Sequence, residues 1–165
     1  MRKAIEEQIK FGEVDISSIQ FNLKSRDDIV QILLGLQYLY GEPACRKEIF
    51  DLLDQLIPAQ VSRDHGRPGM HLWQILVLGT LRLNLNCDYD RIHDLANNHI
   101  KVRQMLGHGP FGDQPDYGLQ TIKDNVSLFT PEILDQINQV VVKAGHQLVK
   151  KKRRTRSRAN VIPLS

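Results

Sequence analysis

The segment from His71 to Leu85, His-Leu-Trp-Gln-Ile-Leu-Val-Leu-Gly-Thr-Leu-Arg-Leu-Asn-Leu, constrains this chain most. Its length and spacing predict a helix, and most of its residues are apolar. Such a helix cannot lie at the edge of a soluble fold, because water would meet an apolar face. It has to be enclosed by other elements. Its longest apolar run, Ile75 to Leu81, stops at Arg82. That is far short of the roughly 20 residues that cross a bilayer. The segment is therefore expected at the centre of a folded domain. Gly79 inside it is tolerable, at a cost of about 1 kcal/mol against Ala.

The flanking segments supply helices to enclose it. Ser25 followed by Asp28 marks a start, the run Ile29 to Tyr40 has helical periodicity, and Gly41 marks a stop. Pro43 opens a second helix, whose Ile49, Leu52, Leu53 and Leu56 form an i, i+3, i+4, i+7 stripe, and Pro58 closes it. A polar loop, 62–70, leads into the central segment. Asp88 caps a fourth helix, Tyr89 to Asn97. A short fifth runs from His99 to Leu106, with Gly107 as its stop. Gly and Pro make 108–118 a loop. A sixth helix is expected over Leu119–Phe129. Thr130-Pro131-Glu132 starts a seventh that reaches about Val149. Residues 1–24, with alternations such as Val14-Asp-Ile16, predict a short extended N-terminal arm. The fold class is all-α: an arm over 1–24, a compact multi-helix domain over 25–149 containing a helix-turn-helix-like pair, and a disordered basic tail over 150–165.

Charge divides the chain in two. Lys150, Lys151, Lys152, Arg153, Arg154, Arg156 and Arg158 crowd into nine residues with no acid among or after them. Removing these seven from the 22 basic residues leaves 15 against 19 acidic ones, so the body is about −4 while the tail is +7. The pI of 8.9 belongs to the tail. A polyanion is its natural partner, since each phosphate neutralised adds salt-sensitive, sequence-independent affinity. Aromatic residues are not interleaved with the run, which argues against base stacking there.

Enzymatic motifs are lacking. There is no GxGxxG, GxxxxGK[ST], GxSxG or HExxH. Cys87, His93 and His99 stand six apart, a spacing that puts helical ligands on different faces. Asp27-Asp28 and Asp88-x-Asp90 read as helix-start charge. The two cysteines have no CxxC spacing, and the charged N-terminus is unlike a signal peptide, so an intracellular protein is expected.

The stretch 88–107 has the outline of a helix-turn-helix. Ile92, Leu95 and Ala96 would face inward from the first helix; Ile100, Val102, Met105 and Leu106 would face inward from the second. That turns His99, Lys101, Arg103 and Gln104 outward, and these residue types contact phosphates and base edges in the major groove. Arg63 and Arg67 would touch phosphate from their loop.

A resemblance rests on longer strings. Gly66-Arg-Pro-Gly-Met-His-Leu-Trp-Gln-Ile-Leu-Val-Leu-Gly-Thr-Leu-Arg82, Asp88-Tyr-Asp-Arg-Ile92, Asn97-Asn-His99, Arg103-Gln-Met-Leu-Gly107 and Leu119 to Asp135 together resemble the N-terminal domain of bacterial insertion-sequence transposases of the DDE type. The resemblance implies a helical DNA-binding domain ahead of an RNase H-like domain, in which three carboxylates hold two divalent metals such as magnesium. No position here matches those acids. Asp88, Asp90, Asp113 and Asp116 fall within the N-terminal domain, so no catalytic residue, metal ligand or cofactor is assigned to this chain. The expectation is a truncated, catalytically inactive transposase N-terminal region. It would bind insertion-sequence ends in the bacterial cytoplasm, at the nucleoid, alone or with copies of itself or a full-length relative. Residues 154–165 would be out-of-frame sequence after a frameshift. The alternatives are a helical interaction or dimerisation module working through 131–149, and a short regulatory product that inhibits a full-length transposase. A free-standing hydrolase has no motif behind it.

Overall fold

The computed structural model describes residues 14–56, 69–110 and 116–159, apart from the side chains of Leu56, Leu148, Val149, Lys152, Arg158 and Ala159. Among the described residues there are seven α-helices and one 3-10 turn, and no strand. The helices are α1 (Asp28–Gly41), α2 (Pro43–Leu56), α3 (Leu72–Leu85), α4 (Tyr89–Asn98), α5 (Ile100–Met105), α6 (Leu119–Val126) and α7 (Pro131–Ala159). No helix among the described residues is long and apolar enough to cross a membrane.

Helix α3 is the hub, as its apolar sequence requires. It packs against α1, α2, α4 and α6. Leu72, Trp73, Ile75, Leu76, Val77, Leu78, Gly79 and Leu81 are all buried. Leu33 and Leu36 of α1, Ile49 and Leu53 of α2, Ile92 and Leu95 of α4, and Ile122 and Val126 of α6 close around it in one continuous core. The α3 start is a reciprocal cap in which the His71 backbone N–H donates to Gln74 Oε1 at 3.1 Å. Its end is Asn86, whose φ of 48° is the left-handed conformation that terminates helices.

Several boundaries differ from the sequence expectation, each for a local reason. The cap of α1 is Asp27, whose carboxylate accepts from the Ile29 N–H at 3.0 Å; Ser25 instead accepts from the Asp27 N–H at 3.2 Å. The described part of the arm has extended backbone at Asp15 and Ile19 but is interrupted between them. Asp15 caps a 3-10 turn, Ile16–Ser18, that buries Ile16 and Ile19 beside α1. Gln37 Nε2 of α1 donates to both the Ile16 and Ile19 carbonyls at 2.9 Å. Helix α6 stops at Val126, three residues early, and a turn then swings Phe129 into the core.

The largest correction concerns the tail. Helix α7 does not end near Val149 but continues to Ala159, through most of the segment expected to be disordered. Lys and Arg are good helix formers, and cations complement the negative end of a helix dipole. Residues 160–165 lie outside the described chain.

Gly79 also differs from a merely tolerated glycine. A Cβ there would fall inside the Phe129 side chain, against Cγ, Cδ1 and Cβ. The missing side chain is what lets the turn before α7 close onto α3. Gly79→Ala gains helix propensity of about 1 kcal/mol but forces the Phe129 ring out of its seat. The expected net effect in urea denaturation is a loss of about 1–3 kcal/mol. A variant as stable as the parent or more so would refute the close approach.

Candidate nucleic-acid interface

Helices α4 and α5 pack on each other as the expected pair. Only His99 separates Asn98 from Ile100, so the connection is tighter than the 3–4 residues usual in a helix-turn-helix. His99 has extended backbone, and its Nδ1 accepts from the Val102 N–H at 3.3 Å. It therefore caps α5. Val102, Met105 and Leu106 are buried as expected. Ile100, expected inward, is 72% exposed. On so short a helix, the buried set at 102, 105 and 106 fixes the inner face and leaves Ile100 on the far side.

The polar residues of α5 are less free than their sequence suggests. The Lys101 ammonium lies 5.8 Å from the centre of the Phe21 ring, above the fold's N-terminal segment. Arg103 is largely covered; its Nη1 donates to the Ala96 carbonyl at 3.4 Å and stands 3.7 Å from the Asp116 carboxylate. Gln104 is half-buried, with Oε1 buried and unpartnered among the described residues. Lys101 is therefore the cation of this helix least committed to its own fold. Arg63 and Arg67 lie outside the described residues.

The carbonyl end of α5 is a fixed point. The Trp73 indole N–H donates to the Met105 carbonyl at 2.7 Å, fully buried. Gln74 Nε2 donates to the Leu106 carbonyl at 3.2 Å, and the Val14 N–H to the Gly107 carbonyl at 3.2 Å. Gly107, at φ 96°, makes the turn that a side chain would resist. Three successive carbonyls thus accept from α3 and from the arm.

Tyr117, which the sequence left in an undifferentiated loop, completes this corner. Its backbone N–H donates to Asn97 Oδ1 at 2.7 Å, and its carbonyl accepts from Asn97 Nδ2 at 2.9 Å. Its hydroxyl accepts from Gln74 Nε2 at 3.1 Å and shares a hydrogen bond with His108 Nε2. Burial pushes the phenol well above its ordinary value, with Arg103 and the Gln74 bond pulling weakly the other way. The fold therefore holds Tyr117 neutral. Cys87, His93 and His99 do not converge; among the described residues no three His, Cys, Asp or Glu side chains stand close enough to hold a metal.

The tail cations occupy a different element. Helix α7 packs on α2, anchored by Ile133 and Ile137, whereas α5 packs on α4 and α1. Lys150, Lys151, Arg153, Arg154 and Arg156 are exposed on the last turns of α7. No family model matches the chain, and neither a curated protein nor a solved structure is similar to it.

Tyr117 yields a prediction in pH. Its folded value is raised, so the stability from its neutral form is complete below the unfolded value near 10 and is lost as pH rises above it. Tyr117→Phe should cost about 1–2 kcal/mol at neutral pH, from the lost hydroxyl bonds. It should also flatten the alkaline fall in stability relative to the parent. Parallel alkaline curves for the two proteins would contradict the burial of this phenol.

Proposed function

We propose that this chain is the helical DNA-binding region of an insertion-sequence transposase, and that it is catalytically silent by itself. The observation that carries the reading is the solvent-exposed cluster of Lys150, Lys151, Arg153, Arg154 and Arg156 on an otherwise acidic body. Such a cluster favours a polyanionic partner. The resemblance of 66–107 and 119–135 to transposase N-terminal domains favours DNA as that polyanion. Helix α5 contributes through Lys101, with Arg103 as much a brace as a contact. His99 caps the helix through Nδ1 and Gln104 has its Oε1 enclosed, so both offer less free side chain to DNA than Lys101. The divalent metal of transposition belongs to the catalytic carboxylates that have no counterpart here.

The test is a salt titration of binding to duplex DNA, followed by fluorescence anisotropy. Five to seven phosphate contacts give a slope of log K against log salt of about −4 to −6. Insertion-sequence ends should bind more tightly than scrambled duplex, and Lys101→Ala should narrow that difference. No binding at low salt would refute the reading. Salt-insensitive self-association in its place would make the chain an interaction module.

A further inference from the structure

The charge on α7 has a shape as well as a sign. Among the described side chains, Ala144 is the last of this helix that packs against the core. Beyond Gly145 every described side chain is exposed: His146, Gln147, Lys150, Lys151, Arg153, Arg154, Thr155, Arg156 and Ser157. Residues 145–159 form a helical rod of roughly 22 Å, at about 1.5 Å per residue, whose described side chains beyond Gly145 meet solvent. It continues a helix whose other end is fixed in the core by Ile133 and Ile137.

The cations circle this rod. At about 100° of rotation per residue, the five exposed cations leave no sector wider than about 140° without one. That open sector contains Thr155, whose hydroxyl donates to the Lys151 carbonyl at 2.9 Å. A helix built for a lipid surface has an apolar stripe, and the cationic part of the rod, residues 150–157, contains no apolar residue. A helix built for a flat acidic surface uses one face and leaves the cations on its back unpaired. A charge ring is matched by an anion that stands on both sides of the helix.

We infer that the end of α7 enters the major groove of B-form duplex DNA as a helix, with its encircling Lys and Arg side chains reaching phosphates on both walls. This rests on the reading of the chain as a DNA binder and adds how the tail binds. The fit is geometric. An α-helix with its side chains is about 10–12 Å across, and the B-DNA major groove is about 12 Å wide. The major groove of A-form RNA is deep and narrow and does not admit such a rod. DNA also relieves a strain in the free protein. Lys150 with Arg153 and Arg154, and Arg153 with Arg156, are like charges at i, i+3 and i, i+4, which repel along the helix until phosphates screen them.

The test separates a helix from a mere run of charge. Full-length parent, Thr155→Pro and Thr155→Ala proteins are titrated against one duplex of about 20 base pairs as DNA, and against the same sequence as double-stranded RNA. Thr155→Pro keeps every charge but breaks the helix among the cations; Thr155→Ala keeps both. Thermal unfolding checks that the body is intact in each. Thr155→Pro should weaken DNA binding about tenfold or more, Thr155→Ala should change it less than about twofold, and RNA should bind more weakly than DNA. Equal binding by Thr155→Pro overturns the inference, because the tail then acts as an unstructured polycation. An equal loss in both variants, or RNA bound as tightly as DNA, overturns it too. In these cases DNA binding that still responds to Lys101→Ala leaves the proposed function standing. Absence of DNA binding by the parent defeats both.

Discussion

A single buried hydrogen bond, from the Trp73 indole to the Met105 carbonyl, sets the geometry on which the corner between α3, α5 and the N-terminal arm depends. A lone carbonyl in an apolar core costs roughly 1–3 kcal/mol, so the end of α5 is obliged to meet α3 at this point. Gln74 and Val14 then take the next two carbonyls, and Tyr117 closes over Gln74. A helix of six residues is too short to be stable alone. Helix α5 exists because its final turn is nailed to the hub and its first turn is capped by His99.

The same corner shows what could be read from the sequence and what could not. The centrality of α3 was legible because an apolar helix has only one tolerable location. The starts at Asp88 and Pro131 were legible because caps are local chemistry. Tyr117 was not. Its partners Asn97 and Gln74 lie 20 and 43 residues away, and a contact over such separations leaves no periodic trace. Inward and outward residues on α5 were only partly assignable. Val102, Met105 and Leu106 follow the pattern, but two turns of helix hold too few residues to fix a face, and Ile100 went the other way. Among the candidate DNA contacts, side-chain type was visible in the sequence while commitment was not. Arg103 and Gln104 are ordinary groove-reading residues by composition, yet both are engaged or enclosed by their own fold. The extent of α7 was missed because a run of charge resembles a solvated tail, although its residues are individually good helix formers.

Charge and architecture are separated in this molecule. The body carries the acids and the core, and the densest group of exposed cations, Lys150, Lys151, Arg153, Arg154 and Arg156, stands on the last turns of α7. Aromatic rings absorb several of the remaining cations. Arg82 lies 4.2 Å from the centre of Tyr89, and Arg46 lies 5.0 Å from Tyr40. These contacts stiffen joints between helices rather than offering positive charge to a partner.

Trp73 is the only tryptophan in the chain. It is 2% exposed, edge-on to Tyr40 at 5.1 Å between ring centres, and bonded to the last turn of α5. The chain's single indole fluorophore thus sits at the joint where the hub meets the short helix. Its emission colour follows the hydration of that joint and of no other, so light from the unlabelled protein distinguishes release of α5 from changes confined to the distant end of α7.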